Sequence, residues 1–223
     1  MLAVENGQSL SQCLPPALNR LPANERPELQ ALCYGTCRWF HRLDGELNSR
    51  LKKPLRKPDR IIHHLMLVAL FQLRFSQQAT YAILNETVEA CRALEKPHLT
   101  GLVNGVLRAA ERDGAPEPAD DSARFSHPVW MVEKLRHNWP DDWQQILDAN
   151  NAQAPMTLRV NALRFGRDEY LGLLKEAGIE ASPTRFAPHG IQLANPVAVD
   201  RLPWFADGAV SVQDEAAQLC TTL

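Results

Sequence analysis

The run I-I-H-H-L-M-L-V-A-L-F-Q-L-R-F, residues Ile61–Phe75, decides how the first half of the chain folds. It is apolar on nearly every face of a helix, so we predict a central helix that other helices surround. The run is too short to span a bilayer, and we expect a cytoplasmic protein with no membrane segment. Adjacent residues point to different faces of a helix, so we interpret His63 and His64 as structural side chains.

Apolar residues on both sides of this run recur at steps of three and four, which is the period of a helix with one buried face. These stripes cover Leu29–Leu47, Ile83–Leu94 and Leu99–Ala110. Together with the central helix they predict a compact all-α bundle. Small residues that we expect to let neighbouring helices approach closely are Gly35, Gly101 and Gly105.

A polar stretch, E-R-D-G-A-P-E-P-A-D-D-S-A-R at Glu111–Arg124, follows the bundle. It buries too little apolar surface to order itself, so we predict a bundle domain at 1–112, a linker at 113–124 and a second domain at 125–223. In the second domain, Met156, Leu158 and Val160 alternate with polar residues, as in a half-buried strand between helical segments. The second domain is therefore predicted to be a small α+β domain.

Two residue types that often form sites are interpreted as structural. The five cysteines are widely scattered and form no C-x-x-C pair, which argues against a disulfide framework or a zinc site, and we expect no metal. Cys33 and Cys37 fall in an apolar stripe, so we interpret them as small core residues. Trp130, Trp139 and Trp143 are expected to form a small helical core in preference to stacking on bases.

The charge of the chain is unevenly distributed. Residues 1–112 hold 15 Lys and Arg against 10 Asp and Glu, whereas residues 113–223 hold 9 against 16. The excess in the first half is concentrated in one cluster, which consists of Arg38, Arg42, Arg50, Lys52, Lys53, Arg56, Lys57 and Arg60. The cluster is either a solvated surface or a phosphate-binding patch, and charge alone does not decide between the two.

Three motifs in the bundle resemble the NusB family. They are L-C-Y-G-T-C-R at Leu32–Arg38, L-N-E-T-V-E at Leu84–Glu89 and G-L-V-N-G-V-L-R at Gly101–Arg108. The resemblance implies a helical bundle that binds RNA and is able to pair with a protein partner. Such domains open with a full helix, of which only Leu2–Glu5 remain here, so we expect the first helix to be incomplete.

Three motifs in the second domain resemble the segment that precedes the catalytic domain in RNA 5-methylcytosine methyltransferases. They are H-P-V-W-M-V-E-K-L at His127–Leu135, A-N-N-A-Q-A-P-M-T-L-R-V-N at Ala149–Asn161 and V-S-V-Q-D-E-A-A-Q-L at Val210–Leu219. Joined to a NusB-like bundle, this segment is similar to the RsmB (Sun, Fmu) family. The resemblance implies 16S ribosomal RNA as the partner and S-adenosylmethionine as the cofactor of the full-length enzyme.

The catalytic residues of such an enzyme are not found in this sequence. It contains no G-x-G loop for the cofactor and no Pro-Cys dipeptide, and Cys220 is not a candidate nucleophile. We expect the nucleophilic cysteine to lie beyond Leu223. The chain is therefore expected to be a portion that ends before the catalytic domain, to bind no cofactor and to be inactive alone.

The residues predicted to contact RNA lie in both domains. They are Arg38, Arg42, Lys52, Lys53, Arg56, Lys57, Arg60, Arg159 and Asn161. Those in the basic cluster would bind phosphates, whereas Arg159 and Asn161 share the polar face of the predicted strand, where RNA contact is favoured by the family resemblance. The alternative function is a stand-alone NusB-like adaptor that binds RNA or protein without catalysis.

Overall fold

The computed structural model describes residues 1–220 and contains two compact units, Met1–Ala152 and the residues from Gln153 onward. The first unit is helical and the second is α+β, which confirms the predicted order of fold classes. The division between the units differs from the predicted linker at 113–124. The helices that follow this linker belong to the first compact unit.

The first unit is built from α-helices and two short 3₁₀ turns, at Lys57–Asp59 and Pro97–Leu99. Its α-helices are α1 (Leu2–Glu5), α2 (Leu10–Leu18), α3 (Arg26–Arg38), α4 (Phe40–Arg50), α5 (Arg60–Phe75), α6 (Thr80–Ala93), α7 (Thr100–Asp113), α8 (Asp121–Phe125), α9 (Val129–Asn138) and α10 (Trp143–Asn151). Within residues 1–220, no helix has both the length and the apolar character needed to cross a membrane.

The predicted central helix is α5, and α3, α4, α6 and α7 pack around it. Ile62, Met66, Leu67 and Leu70 of α5 are completely buried among apolar side chains of these neighbours. Burying an aliphatic side chain of this size contributes roughly 1.5–3 kcal/mol to stability. The uninterrupted apolar run therefore places α5 at the centre of the bundle.

Only one of the three glycines expected at close helix contacts makes such a contact. A Cβ atom at Gly35 of α3 would lie 2.1 Å from Cζ of Phe71, so a larger side chain would push α3 away from α5. Gly101 and Gly105 are exposed on α7, and a Cβ atom at either position would meet nothing within 4 Å. The prediction was right for Gly35 and wrong for the other two.

The apolar stripe at Leu29–Leu47 belongs to two helices, because the chain breaks at Trp39. The indole of Trp39 stacks on Phe75 of α5, with 4.9 Å between the ring centroids. The apolar residues keep their three- and four-residue spacing across the break, and no Gly or Pro marks it. The sequence pattern therefore did not reveal the break. Arg38 and Arg42 consequently lie on different helices.

The turn after α8 ties the later helices to the bundle. Ser126 adopts a left-handed conformation, with φ 55°, and its Oγ donates to the carbonyl of Arg38 at 3.0 Å. The same Oγ accepts a hydrogen bond from the amide of Arg42 at 3.3 Å. Ser126 thus joins the last turn of α3 to the first turn of α4. This contact is one physical reason why the first compact unit extends beyond the predicted linker.

Helices α8, α9 and α10 enclose a small core of their own, formed by Phe125, Val132 and Leu147. Trp143 packs against this core, as predicted, with its ring centroid 5.3 Å from that of Phe125. Trp130 and Trp139 are 66% and 55% exposed, so the prediction that they form the core was wrong.

The second unit contains a four-stranded antiparallel sheet with the order β2-β3-β1-β4. The strands are β1 (Thr157–Val160), β2 (Ala181–Pro183), β3 (Gly190–Leu193) and β4 (Val210–Val212), and the α-helices are α11 (Arg167–Glu176) and α12 (Glu215–Leu219). Leu158 of β1 pairs with Ile191 of β3 and Val212 of β4, which places β1 inside the sheet. Tyr170 of α11 is fully buried against the sheet core.

Candidate nucleic-acid interface

Four basic side chains project from the segment that connects α4 to α5. We call Lys52, Lys53, Arg56 and Lys57 the basic segment; all four are exposed. Within residues 1–220, none of the four forms an ion pair. The segment is not free to swing, because Leu51 and Leu55 pack against the main core of the bundle. The half-buried leucines hold the segment against the bundle, and the exposed cations beside them project into solvent.

The three acidic residues that lie within the stretch of sequence holding the basic cluster have other partners. Asp44 Oδ1 lies 2.6 Å from Nε2 of His63. Asp59 Oδ1 accepts a hydrogen bond from Nζ of Lys96 at 2.8 Å, and this bond holds the pKa of the Asp59 carboxyl below its usual range. The third acidic residue, Glu46, is 4% exposed and binds Arg74 of α5. Within residues 1–220, none of these three carboxylates forms an ion pair with the basic segment.

Arg60 was predicted to contact RNA, but the structure pairs its guanidinium with Glu5 of α1. Nε of Arg60 donates to Oε1 of Glu5 at 2.9 Å, and Nε2 of His64 lies 2.7 Å from Oε2 of the same carboxylate. The hydrogen bond from Arg60 is the main reason why the pKa of Glu5 falls to about 2. Burial lowers the pKa of His64, against the opposing effect of Glu5. We therefore leave Arg60 out of the proposed RNA-binding set.

Arg38 and Arg42 also differ from each other in their surroundings. Arg38 is exposed at the end of α3, whereas Arg42 lines an open cavity of about 690 Å³ together with Glu117, Asp120 and Asp121. Carboxylates beside Arg42 weaken its attraction for phosphate. RNA contact at Arg42 stays a prediction that the local charge does not favour.

In the second unit, the two predicted RNA contacts have separate roles. Arg159 is exposed on β1, and its Nη1 donates to Oε1 of Gln213 at 3.1 Å. Asn161 follows β1, where its Nδ2 donates to the carbonyl of Gly208 at 3.0 Å and its Oδ1 accepts from the amide of Leu163 at 3.2 Å. The amide group of Asn161 thus closes a turn, and Arg159 is the better placed of the two for a ligand.

Sequence reasoning missed a group of cationic and apolar residues near Arg159. An open cavity of about 480 Å³ is lined by Arg159 together with Leu163 and His189, and Arg185 and Phe186 precede His189 in the same loop. The signal was available in the stretch T-R-F-A-P-H-G at Thr184–Gly190, where cationic and aromatic residues lie between two short strands.

The residues interpreted as structural make no metal cluster in the described part of the chain. No group of three or more His, Cys, Asp or Glu side chains within residues 1–220 could hold a metal ion. His63 and His64 are buried against Asp44 and Glu5, as a structural role requires. Burial raises the pKa of the Cys33 and Cys37 thiols, which disfavours the reactive thiolate.

The described residues do not fit S-adenosylmethionine. Binding sites for such cofactors use a Gly-rich turn between a parallel strand and the helix that follows it. The strand pairs within residues 153–220 are all antiparallel, so this part of the chain offers no such turn.

Comparison with known proteins places the chain in a family. Residues 2–112 match the NusB family, and residues 127–200 match the "Methyltr_RsmF/B-like, ferredoxin-like domain". The second match begins close to the predicted boundary at 125, although the compact units divide after Ala152. The crystal structure of PH0851 has a TM-score of 0.66 over 90% of this chain and 47% of that chain. Because the two sequences are only 18% identical, this likeness shows a similar fold and nothing about function.

Two relatives are similar to this chain over nearly its whole length. The chain is 42% identical over 220 residues to "Ribosomal RNA small subunit methyltransferase B" of Klebsiella pneumoniae (strain 342), which covers 97% of this chain and 51% of the relative. It is 42% identical over 223 residues to the protein of the same name from Yersinia enterocolitica serotype O:8 / biotype 1B (strain NCTC 13174 / 8081), covering 99% and 52%. The chain thus spans about half the length of the curated relatives it matches. With its NusB and RsmF/B-like regions in succession, the chain belongs to the family of the ribosomal RNA small subunit methyltransferases B.

Proposed function

We propose that this chain is the RNA-recognition portion of an S-adenosylmethionine-dependent methyltransferase that modifies C5 of a cytosine in 16S ribosomal RNA in the cytoplasm. The observation that carries the proposal is the basic segment. Its four cations are exposed, unpaired within residues 1–220 and fixed to a NusB-family bundle by Leu51 and Leu55. A surface of this kind is suited to phosphate and not to a small neutral ligand.

The basic segment would hold the RNA backbone without reading the sequence. Lys and Arg side chains that displace counterions from phosphates supply most of the sequence-independent affinity of proteins for nucleic acid. A-form RNA is recognised largely through its phosphates, its 2′-hydroxyls and its shape, because its major groove is too narrow for side chains. The segment would therefore set the position of a ribosomal stem, and the target cytosine would be identified elsewhere.

Methyl transfer would take place on another part of the full-length enzyme. S-adenosylmethionine would supply the methyl group there, and a cysteine would attack the target base after the base leaves its stack. The contribution of this chain is to bind and orient the RNA. We expect the 223-residue chain alone to bind no S-adenosylmethionine and to leave RNA unmethylated.

Replacement of Lys52, Lys53, Arg56 and Lys57 by Ala tests the proposal. Binding to an RNA stem should weaken about equally for cognate and unrelated sequences, because phosphates are common to both. The slope of log affinity against log salt should fall by about one unit for each phosphate that the variant no longer binds. A filter-binding or anisotropy titration at several salt concentrations measures both quantities.

A matched control removes the same charge from scattered exposed sites. The control residues are Arg92, Lys134, Lys175 and Arg201, also changed to Ala. If the control variant loses as much affinity and salt dependence as the basic-segment variant, net charge and not this surface governs binding. An unchanged basic-segment variant would show that the segment is a solvated face.

A further inference from the structure

The loop between β2 and β3 is held rigidly by its own hydrogen bonds. Thr184 donates its amide to the carbonyl of Gly190 at 3.0 Å, and the amide of Gly190 donates to the carbonyl of Ala187 at 3.1 Å. A Cβ atom at Gly190 would lie 2.1 Å from Oγ1 of Thr184, so the loop closes only around glycine. The loop is therefore an ordered platform.

A carboxylate on α12 fixes the tip of the same loop. Oε1 of Glu215 accepts hydrogen bonds from the amides of Phe186, at 2.6 Å, and Ala187, at 2.9 Å. The hydrogen bond from the Ala187 amide has the largest effect on the pKa of the Glu215 carboxyl, followed by that from Phe186. Together they hold this pKa below its usual range. The negative charge of Glu215 is thus already hydrogen-bonded to backbone amides of the loop tip.

This rigid loop exposes an aromatic ring. Phe186 is 62% exposed, and the guanidinium carbon of Arg185 lies 4.9 Å from its ring centroid. Leu163, which lines the neighbouring cavity of about 480 Å³, is 96% exposed. Phe186 and Leu163 therefore both offer apolar surface that a ligand could cover. An Arg beside an aromatic ring adds a cation to a stacking surface.

Positive charge of the second unit is concentrated around this loop. The Lys and Arg residues from 153 onward are Arg159, Arg164, Arg167, Lys175, Arg185 and Arg201. Four of these six lie at this corner. Arg159 lines the cavity with His189, Arg164 lies in the turn that carries Leu163, Nη1 of Arg167 donates to the carbonyl of Ala187 at 3.4 Å, and Arg185 belongs to the loop. The carboxylate of Asp168 lies 3.9 Å from Nε of Arg167 and offsets part of its charge. The three cations available to a ligand are therefore Arg159, Arg164 and Arg185.

We propose that this corner, formed by Arg159, Leu163, Arg185, Phe186 and His189, binds an unpaired nucleotide of single-stranded RNA beside the stem. The base stacks on Phe186 and Arg185, and Arg159 with Arg164 contacts the flanking phosphates. Base–aromatic stacking combined with backbone cations is how proteins bind single strands without reading sequence. The basic segment contains cations but no aromatic residue, so the two surfaces recognise different parts of the RNA. This inference rests on the proposed function, since it requires an RNA ligand.

Two RNAs separate this proposal from the proposed function. One is a blunt-ended stem, and the other is the same stem with a single-stranded flank of several nucleotides. In the full 223-residue chain, Phe186→Ala should lower affinity for the flanked stem by about 5- to 150-fold, the range that removal of one base–aromatic stack produces. Affinity for the blunt stem should not change. Phe186→Trp should retain affinity for the flanked stem, because an indole also stacks.

The possible outcomes distinguish the failure of one proposal from the failure of the other. Equal affinity of wild type and Phe186→Ala for the flanked stem, or an equal loss on both RNAs, would overturn the single-strand site while leaving the basic segment as the stem-binding surface. Failure of wild type to bind either RNA would overturn both proposals. Binding of poly-glutamate that depends on Phe186, with no RNA effect, would identify the corner as a site for an acidic protein. Circular dichroism of each variant confirms that it is folded.

Discussion

Two sets of basic side chains in the first unit have the same chemistry and opposite surroundings. Arg74 and Arg60 lie against carboxylates on other helices, whereas the basic segment faces solvent without an ion pair in the described residues. Arg74 also donates to the carbonyl of Ala110 at 2.9 Å, so it connects α4, α5 and α7. The difference teaches that the partners of a cation, and not its place in a basic stretch of sequence, determine whether it stabilises the fold or is available to RNA.

The largest expected effect is at the ion pair between Arg74 and Glu46, whose carboxylate is almost fully buried. Arg74→Met leaves the carboxylate of Glu46, with 3% of its side chain exposed, opposite Arg50 alone among residues 1–220, at 3.6 Å. Breaking a buried pair on one side lowers the free energy of unfolding by about 3–5 kcal/mol. Urea unfolding measures the loss, and Arg74→Met combined with Glu46→Leu should recover most of it. A loss below about 1 kcal/mol would mean that water reaches Glu46 and screens the pair. Arg74 would then contribute as little to stability as a solvent-exposed cation of the basic segment.

An intermediate effect is expected at Glu5, which is about one third exposed. Glu5→Gln should lower the free energy of unfolding at pH 7 by about 1–2 kcal/mol, since hydrogen bonds to a charged group are removed but solvent screens part of the interaction. The pKa of Glu5 is lowered from 4.5 to about 2 in the folded state, so its ionised form stabilises the protein above pH 4.5. That stabilisation is lost as the pH falls toward 2.

The role of Glu5 is tested more directly by how the difference in free energy of unfolding between wild type and Glu5→Gln changes with pH. Urea unfolding of wild type and Glu5→Gln at intervals from pH 5 down to pH 3 should show the gap between them narrowing. His64, which also faces Glu5, is protonated in the unfolded chain throughout this range. A gap that stays constant below pH 4.5 would contradict the assigned role of the ionised carboxylate.

The smallest effect is expected at a pair on the surface of α6. The side chains of Arg92 and Glu89 are 53% and 58% exposed, although they form an ion pair three residues apart. Arg92→Ala should change the free energy of unfolding by less than about 0.5 kcal/mol. Raising the salt concentration should leave the difference between variant and wild type nearly unchanged. A loss comparable to that of Arg74→Met would mean that burial does not determine how much each ion pair contributes to the free energy of unfolding.

The sequence predicted the features of the fold that depend on local pattern. Ile61–Phe75 identified α5 as the central helix, because a helix that is apolar all round has to be buried. The alternation around Leu158 likewise predicted a half-buried strand. The break at Trp39 was not predicted, since no Gly or Pro marks it and Phe75, on which Trp39 stacks, is distant in sequence.

The candidate site was less accessible to sequence reasoning for the same reason. Lys52, Lys53, Arg56 and Lys57 were identified from charge, but the pairing of Arg60 with Glu5 crosses 55 residues of chain. Phe186 was overlooked because an aromatic residue between two strands predicts burial as readily as exposure. Its rigid exposure depends on Glu215, which is 29 residues further along.

The hydroxyl of Ser126 has a consequence for the timing of folding during synthesis. It completes the junction of α3 and α4 from 88 residues further along the chain. A ribosome that adds about 5–20 residues per second makes Ser126 roughly 4–18 s after Arg38. For that interval the carbonyl of Arg38 and the amide of Arg42 lack their native partner. The junction of α3 and α4 in the nascent bundle is therefore complete only after a residue of the following segment has been made.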